Sequence, residues 1–96
     1  MTTANDNLDP NHVAWSRNHF RMLREGGTWA IPRSGLIFIR RGNELQLIAR
    51  MPHDPAMPCT REQLQEQQDA DFDGVKDNFG AAGVTVVDKS VKESVQ

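Results

Sequence analysis

Asp69-Ala70-Asp71-Phe72-Asp73-Gly74 reproduces the first six positions of an EF-hand calcium loop, and Asp77 supplies the ninth. Alternating carboxylates followed by a glycine can wrap one hard cation in oxygen ligands. The pattern fails at its closing positions, where Gly80 replaces the bidentate glutamate and Lys76 replaces an apolar residue. As a helix the same segment puts Phe72, Val75 and Phe79 on one face and turns Asp71 away from Asp69 and Asp73. Those carboxylates then cannot close on one ion. Zinc has candidate ligands in His12, His19, His53 and Cys59, but no pair has close ligand spacing, and His12 and His19 are seven residues apart. The expectation is therefore no metal and no cofactor.

Nucleophilic chemistry would centre on Cys59 with His53, and Asp54 as an orienting carboxylate. Ser16 and Ser34 are further nucleophile candidates. Cys59 also reads as an apolar staple ahead of a helix, and Glu62 and Glu66 oppose thiolate formation there. A small hydrolase built on His53, Asp54 and Cys59 is kept as an alternative, with no residue assigned as catalytic. There is no phosphate-cradling loop, because Gly26-Gly27 follows a helix and precedes a strand, the reverse of the required order.

The elements that must position these groups fit one domain in 96 residues. Residues 1–7 and 89–96 are polar without periodicity and are expected to be disordered tails around a unit at 8–88. Asp9 before Pro10 marks a helix start, with Leu8 and Val13 as a staple pair, and Gly26-Gly27 stops the helix after about Arg24 or Glu25. Val13, Trp15, Phe20, Met22 and Leu23 share a broad arc centred on His12 and His19, and Arg17, Arg21 and Arg24 lie opposite. Thr60 and Gln63 form a capping box for a second helix, which ends at Gly80 or Gly83. Its Leu64, Phe72, Val75, Phe79 and Ala82 share one face, and Glu62, Glu66, Asp69, Asp73 and Asp77 the other.

Between the helices, Thr28–Ile31, Leu36–Arg41 and Glu44–Arg50 read as strands joined by Pro32–Gly35 and Gly42-Asn43. Links this short require antiparallel neighbours. Met51–Cys59 holds three prolines and reads as a loop, and Val84–Val87 as a last strand. The expected fold is a two-layer α+β domain, order α-β-β-β-α-β, with a mostly antiparallel sheet and both helices on one face. Leu36 and Phe38 point to one side of their strand and Ile37 and Ile39 to the other, so the second face is apolar as well. With Ile48 or Trp29 as further members, that face is expected to be covered by a second copy of the chain, or by a tail or the proline-rich loop.

Charge is unevenly distributed. The net charge of −2 combines seven arginines against four acids in residues 1–52, net +3, with nine acids against four basic residues in 53–96, net −5. An acidic total argues against a generic polyanion binder. Arg33, Arg40 and Arg41 sit in or beside turns and could grip phosphates. Alternatively Arg17, Arg21 and Arg24 face the acidic stripe of helix two, within the chain or across a dimer. The element order, carried by GTWAIPRSGLIFIRRG and MPHDPAMPCTREQL, resembles the double-stranded-RNA-binding fold and the toxin ribonucleases of the HicA type. The HicA family opens its second strand with Gly-Ser-His, whereas this chain has Arg33-Ser34-Gly35-Leu36. The RNA-binding family starts its last helix with lysines, whereas this chain has TREQLQEQQ. The resemblance covers element order and not the functional residues.

The expected function is a small cytoplasmic interaction module without catalytic activity. It would form a homodimer through Ile37, Ile39 and Ile48. A protein partner would use Arg17, Arg21, Arg24, Arg33, Arg40 and Arg41, or the acidic stripe. RNA or DNA binding through Arg33, Arg40 and Arg41 is the alternative, and no membrane contact is expected, since the longest aliphatic or aromatic run is Leu36–Ile39.

Overall fold

Asp9 caps the first helix by accepting the Asn11 N–H at 2.9 Å, and Pro10 follows at the first helical position. In a computed structural model of the chain, which describes residues 9–90, the elements run α1 (Pro10–Met22), β1 (Thr28–Ile31), β2 (Leu36–Arg41), β3 (Glu44–Arg50), α2 (Arg61–Ala81) and β4 (Thr85–Asp88). The tail at 1–7, the residues after Ser90 and the Leu8 half of the staple lie outside the described residues. Lys89 and Ser90 continue the folded unit. The Lys89 N–H donates to the Leu47 carbonyl, and Ser90 donates through its N–H and hydroxyl to Asp88.

The strands form one sheet in the order β1-β2-β3-β4. The first three are antiparallel, and α2 carries the chain over so that β4 lies parallel to β3. The class is α+β with a mostly antiparallel sheet, as the element order predicts. Capping at Thr60 also follows the sequence. Its hydroxyl accepts from the Gln63 N–H at 3.1 Å, while Gln63 Oε1 accepts from the Thr60 N–H at 2.9 Å.

The core sits on one face of the sheet. Leu36, Phe38, Leu45 and Leu47 are wholly buried there, and Val86 joins them from β4. Phe20 from α1 and Val75 and Phe79 from α2 complete the same cluster. A buried side chain of this size contributes about 1.5–3 kcal/mol. Trp29 lies against this cluster, paired in register with Phe38 at a ring separation of 5.4 Å. It therefore faces the core and not the outer side.

Two details of α1 differ from the sequence reading. The helix ends at Met22, because Leu23 turns extended. Arg40 fixes that end by donating Nη1 to the carbonyls of Phe20 at 2.9 Å and Leu23 at 2.8 Å. The buried face is also rotated. Ser16 and Phe20 are buried, whereas Trp15 is 52 % and Met22 80 % exposed, and His12 is exposed. Ser16 can take the innermost position because its hydroxyl donates to the His12 carbonyl at 2.9 Å, leaving no unmet donor.

Candidate functional site

The outer face of the sheet follows from strand alternation and one irregularity. Ala30 and Ala49 flank Ile37 in register, and Thr28 and Gln46 flank Ile39, with Val87 beyond Gln46. Neighbours in register share a face. The β2–β3 register shifts at Ile37/Phe38, so that Ile48 has no partner between Leu47 and Ala49. This bulge leaves Ile48 38 % exposed beside Ile37 at 36 %. Ile39 is half-buried. The proline-rich loop is tied to α2 at its first residue, since Gln68 Nε2 donates to the Met51 carbonyl. At one end of the face, Arg41 and Glu44 stand opposite each other in register.

The bulge also redirects Arg50. Strict alternation would place it with the outer residues, but the shifted register pairs it with Leu36. On that side it reaches Asp88 at 2.8 Å, Asp69 of α2 at 3.3 Å and Ser90 at 3.2 Å. Burial opposes ionisation of Asp88, but the hydrogen bonds from Ser90 and Arg50, with the charge of Arg50, hold its carboxyl below the ordinary value.

The six arginines singled out by sequence divide into two groups. Arg33 forms a two-pronged pair with Asp71, Nη2 to Oδ1 at 2.7 Å and Nε to Oδ2 at 3.1 Å. Arg40 caps α1 and lies over the Phe20 ring at 4.3 Å. Arg17, Arg21, Arg24 and Arg41 are exposed and enter no ion pair among the described residues.

Of the hydrolase candidates, His53 and Cys59 do meet, but through the wrong atoms for catalysis. His53 Nε2 contacts the Cys59 carbonyl at 2.8 Å, so this nitrogen donates its proton to backbone. The Asp54 carboxylate accepts from the Ala56 N–H at 2.9 Å, a turn contact. Ser16 is buried against the His12 carbonyl, and Ser34 is wholly buried. Among the described residues no three His, Cys, Asp or Glu side chains converge as a metal site. The Asp69–Gly74 segment lies inside α2.

A cleft of about 330 Å³ opens between the helices over β1. Trp15, Trp29 and Phe79 form apolar walls, and Arg33, Asp71 and Asn78 supply polar groups. The Trp15 ring is held flat on His19 at 4.6 Å, and His19 meets Trp29 edge-on at 4.7 Å. Burial pushes the His19 pKa down, and its Nε2 has no partner. The cleft can hold an apolar side chain but presents no activated nucleophile.

Sequence reasoning missed Gln68 and Asp71. Both are buried on α2, at 4 % and 7 % exposure. Gln68 Nε2 bridges the carbonyls of Ser34 at 3.0 Å and Met51 at 2.9 Å. Burial alone would raise the Asp71 pKa, but the hydrogen bonds of Arg33, Ser34 and Gln67 and the charge of Arg33 hold it below the ordinary value. The Ser34 hydroxyl adds to this without meeting the full geometry of a hydrogen bond. The available signal was spacing. Leu64, Gln68, Asp71, Val75 and Phe79 form one continuous buried stripe, and polar residues in such a stripe imply distant partners.

Among the described residues no helix is long and apolar enough to cross a membrane. No protein family matches the chain, no curated protein is significantly similar to it, and no solved structure matches it at a significant level.

Proposed function

We propose that the chain is a small non-catalytic interaction module that self-associates through the outer face of its sheet. The observation that carries this reading is the apolar row of Ile37, Ile39 and Ile48, with Ala30 and Val87 on flanking strands. Ile37 and Ile48 remain more than a third exposed there. The rim is self-complementary in charge, because Arg41 and Glu44 stand together and a two-fold axis can bring each against the other's copy.

Size limits the strength of the contact. A four-stranded sheet with a six-residue central strand offers roughly 19 by 20 Å, or about 400 Å² in projection. A standard stable interface needs about 800 Å² per partner. Association should therefore be weak and concentration-dependent. Nucleic-acid binding is less well supported, since Arg33 and Arg40 are engaged within the chain and only Arg41 of that trio is free of an internal partner among the described residues.

Light scattering from 5 to 500 micromolar in 300 mM salt tests the reading. The expected result is a rise from monomer to dimer mass, abolished by Ile37→Asp with an unchanged far-ultraviolet spectrum. A monomer across the whole range would overturn it.

A further inference from the structure

We infer that a second, charge-driven contact joins copies of this chain, the arginine stripe of α1 on one copy meeting the acidic stripe of α2 on another. Arg17, Arg21 and Arg24 are exposed and without ion pairs among the described residues. Glu62, Glu66, Asp73 and Asp77 are likewise exposed and enter no ion pair among the described residues. The ion pairs that do form use Arg33 and Arg50 instead. The two stripes are thus opposite in sign and unmatched within the fold.

Their spacing is matched. Arg17, Arg21 and Arg24 are separated by four and three residues. Glu66, Asp69 and Asp73 are separated by three and four, which gives the same spacing when the helices run antiparallel. Asp69 is 73 % exposed in its side chain despite its longer contact to Arg50, so it can contribute a second oxygen. A two-fold axis would use each stripe once per copy and so form two helix contacts. Single exposed ion pairs are weak, so the contact depends on several acting together and on low salt.

This inference does not rest on the sheet-face dimer, and salt separates the two. The test uses Ile37→Asp, which removes the sheet contact, or Ile37→Thr should the aspartate variant not fold. Sedimentation is measured in 20 and 300 mM salt. The expected result is self-association in 20 mM salt that weakens about tenfold in 300 mM.

A charge exchange then fixes the surfaces. One chain carries Arg17→Glu, Arg21→Glu and Arg24→Glu, the other Glu66→Lys, Asp73→Lys and Asp77→Lys, both in the Ile37 background. Each alone should be monomeric, and their mixture should form a heterodimer. A monomeric parent in 20 mM salt, or a mixture without heterodimer, overturns the inference. Failure of the sheet-face reading would appear separately, as a wild-type chain that stays monomeric in 300 mM salt.

Discussion

Gln68 is the buried amide side chain among the described residues, and replacing it by leucine should destabilise the fold. Leucine fills nearly the same volume, so the change isolates hydrogen bonding from cavity formation. It removes the Nε2 donor that serves the carbonyls of Ser34 at 3.0 Å and Met51 at 2.9 Å. Ser34 is wholly buried, so its carbonyl would stay unpaired, at a cost of about 1–3 kcal/mol. Met51 is half-buried, and water can partly replace the lost donor there. The sum is about 2–4 kcal/mol. That is a large share of the ~5–15 kcal/mol typical of a domain, and at ~4–8 °C per kcal/mol it lowers the melting temperature by roughly 8–32 °C. Urea unfolding followed by tryptophan fluorescence and by circular dichroism measures it. Gln68→Glu sharpens the test. Its carboxylate has no proton to donate and faces two carbonyl oxygens, so at neutral pH it should be worse than leucine. Burial and the two carbonyl oxygens raise the pKa of that carboxyl above the ordinary value, and its protonation as pH falls restores one donor and should narrow the gap to wild type at the same pH. A Gln68→Leu chain within about 0.5 kcal/mol of wild type, with an unchanged denaturant slope, would refute the bridging role.

Two further outcomes can be checked with the same measurements. Gly35→Ala should cost about 2–4 kcal/mol, because Gly35 has φ +72° and an added Cβ would run into the Met51 side chain, whereas Gly42→Ala at φ +61° meets nothing and should cost about 1 kcal/mol from backbone strain alone. Stability should fall with acid in two limbs. His19 has a folded pKa below its unfolded value of 6.5, so the unfolded chain takes up the proton first and stability declines as pH drops through 6.5. Asp71 and Asp88 have folded values below 3.8, so their contribution, full at neutral pH, is lost as pH falls below about 4. His19→Phe should remove the upper limb and leave the lower one; persistence of the upper limb would assign it to another group.

The helix caps and the antiparallel pairing of β1, β2 and β3 were readable because each depends on residues within a turn or two, whereas the place of β4 beside β3 was decided only by how the α2 crossover packs. Asp9-Pro10, Thr60 with Gln63, and the Pro32–Gly35 turn act locally, so spacing alone locates them. The apolar outer face was equally legible, since Leu36–Ile39 alternates whatever surrounds it. The face of α1 was not. Its apolar residues span too wide an arc to choose a centre, and packing against α2 and the sheet selected Ser16 and Phe20 over Trp15 and Met22.

What the sequence by itself determined, then, is the order and type of the elements, their caps, and a sheet apolar on both sides. The tertiary structure alone decided which polar groups are spent inside the fold. Arg33 and Asp71 are 38 residues apart, and nothing local marks them as partners. Arg40 looked free for a phosphate until the end of α1 came within reach of its guanidinium. Arg50 faces the helices only because the bulge at Ile48 shifts the register of β3 by one residue. A one-residue shift reverses every side chain beyond it, and that shift is set by how β3 packs against β2 and not by its own composition.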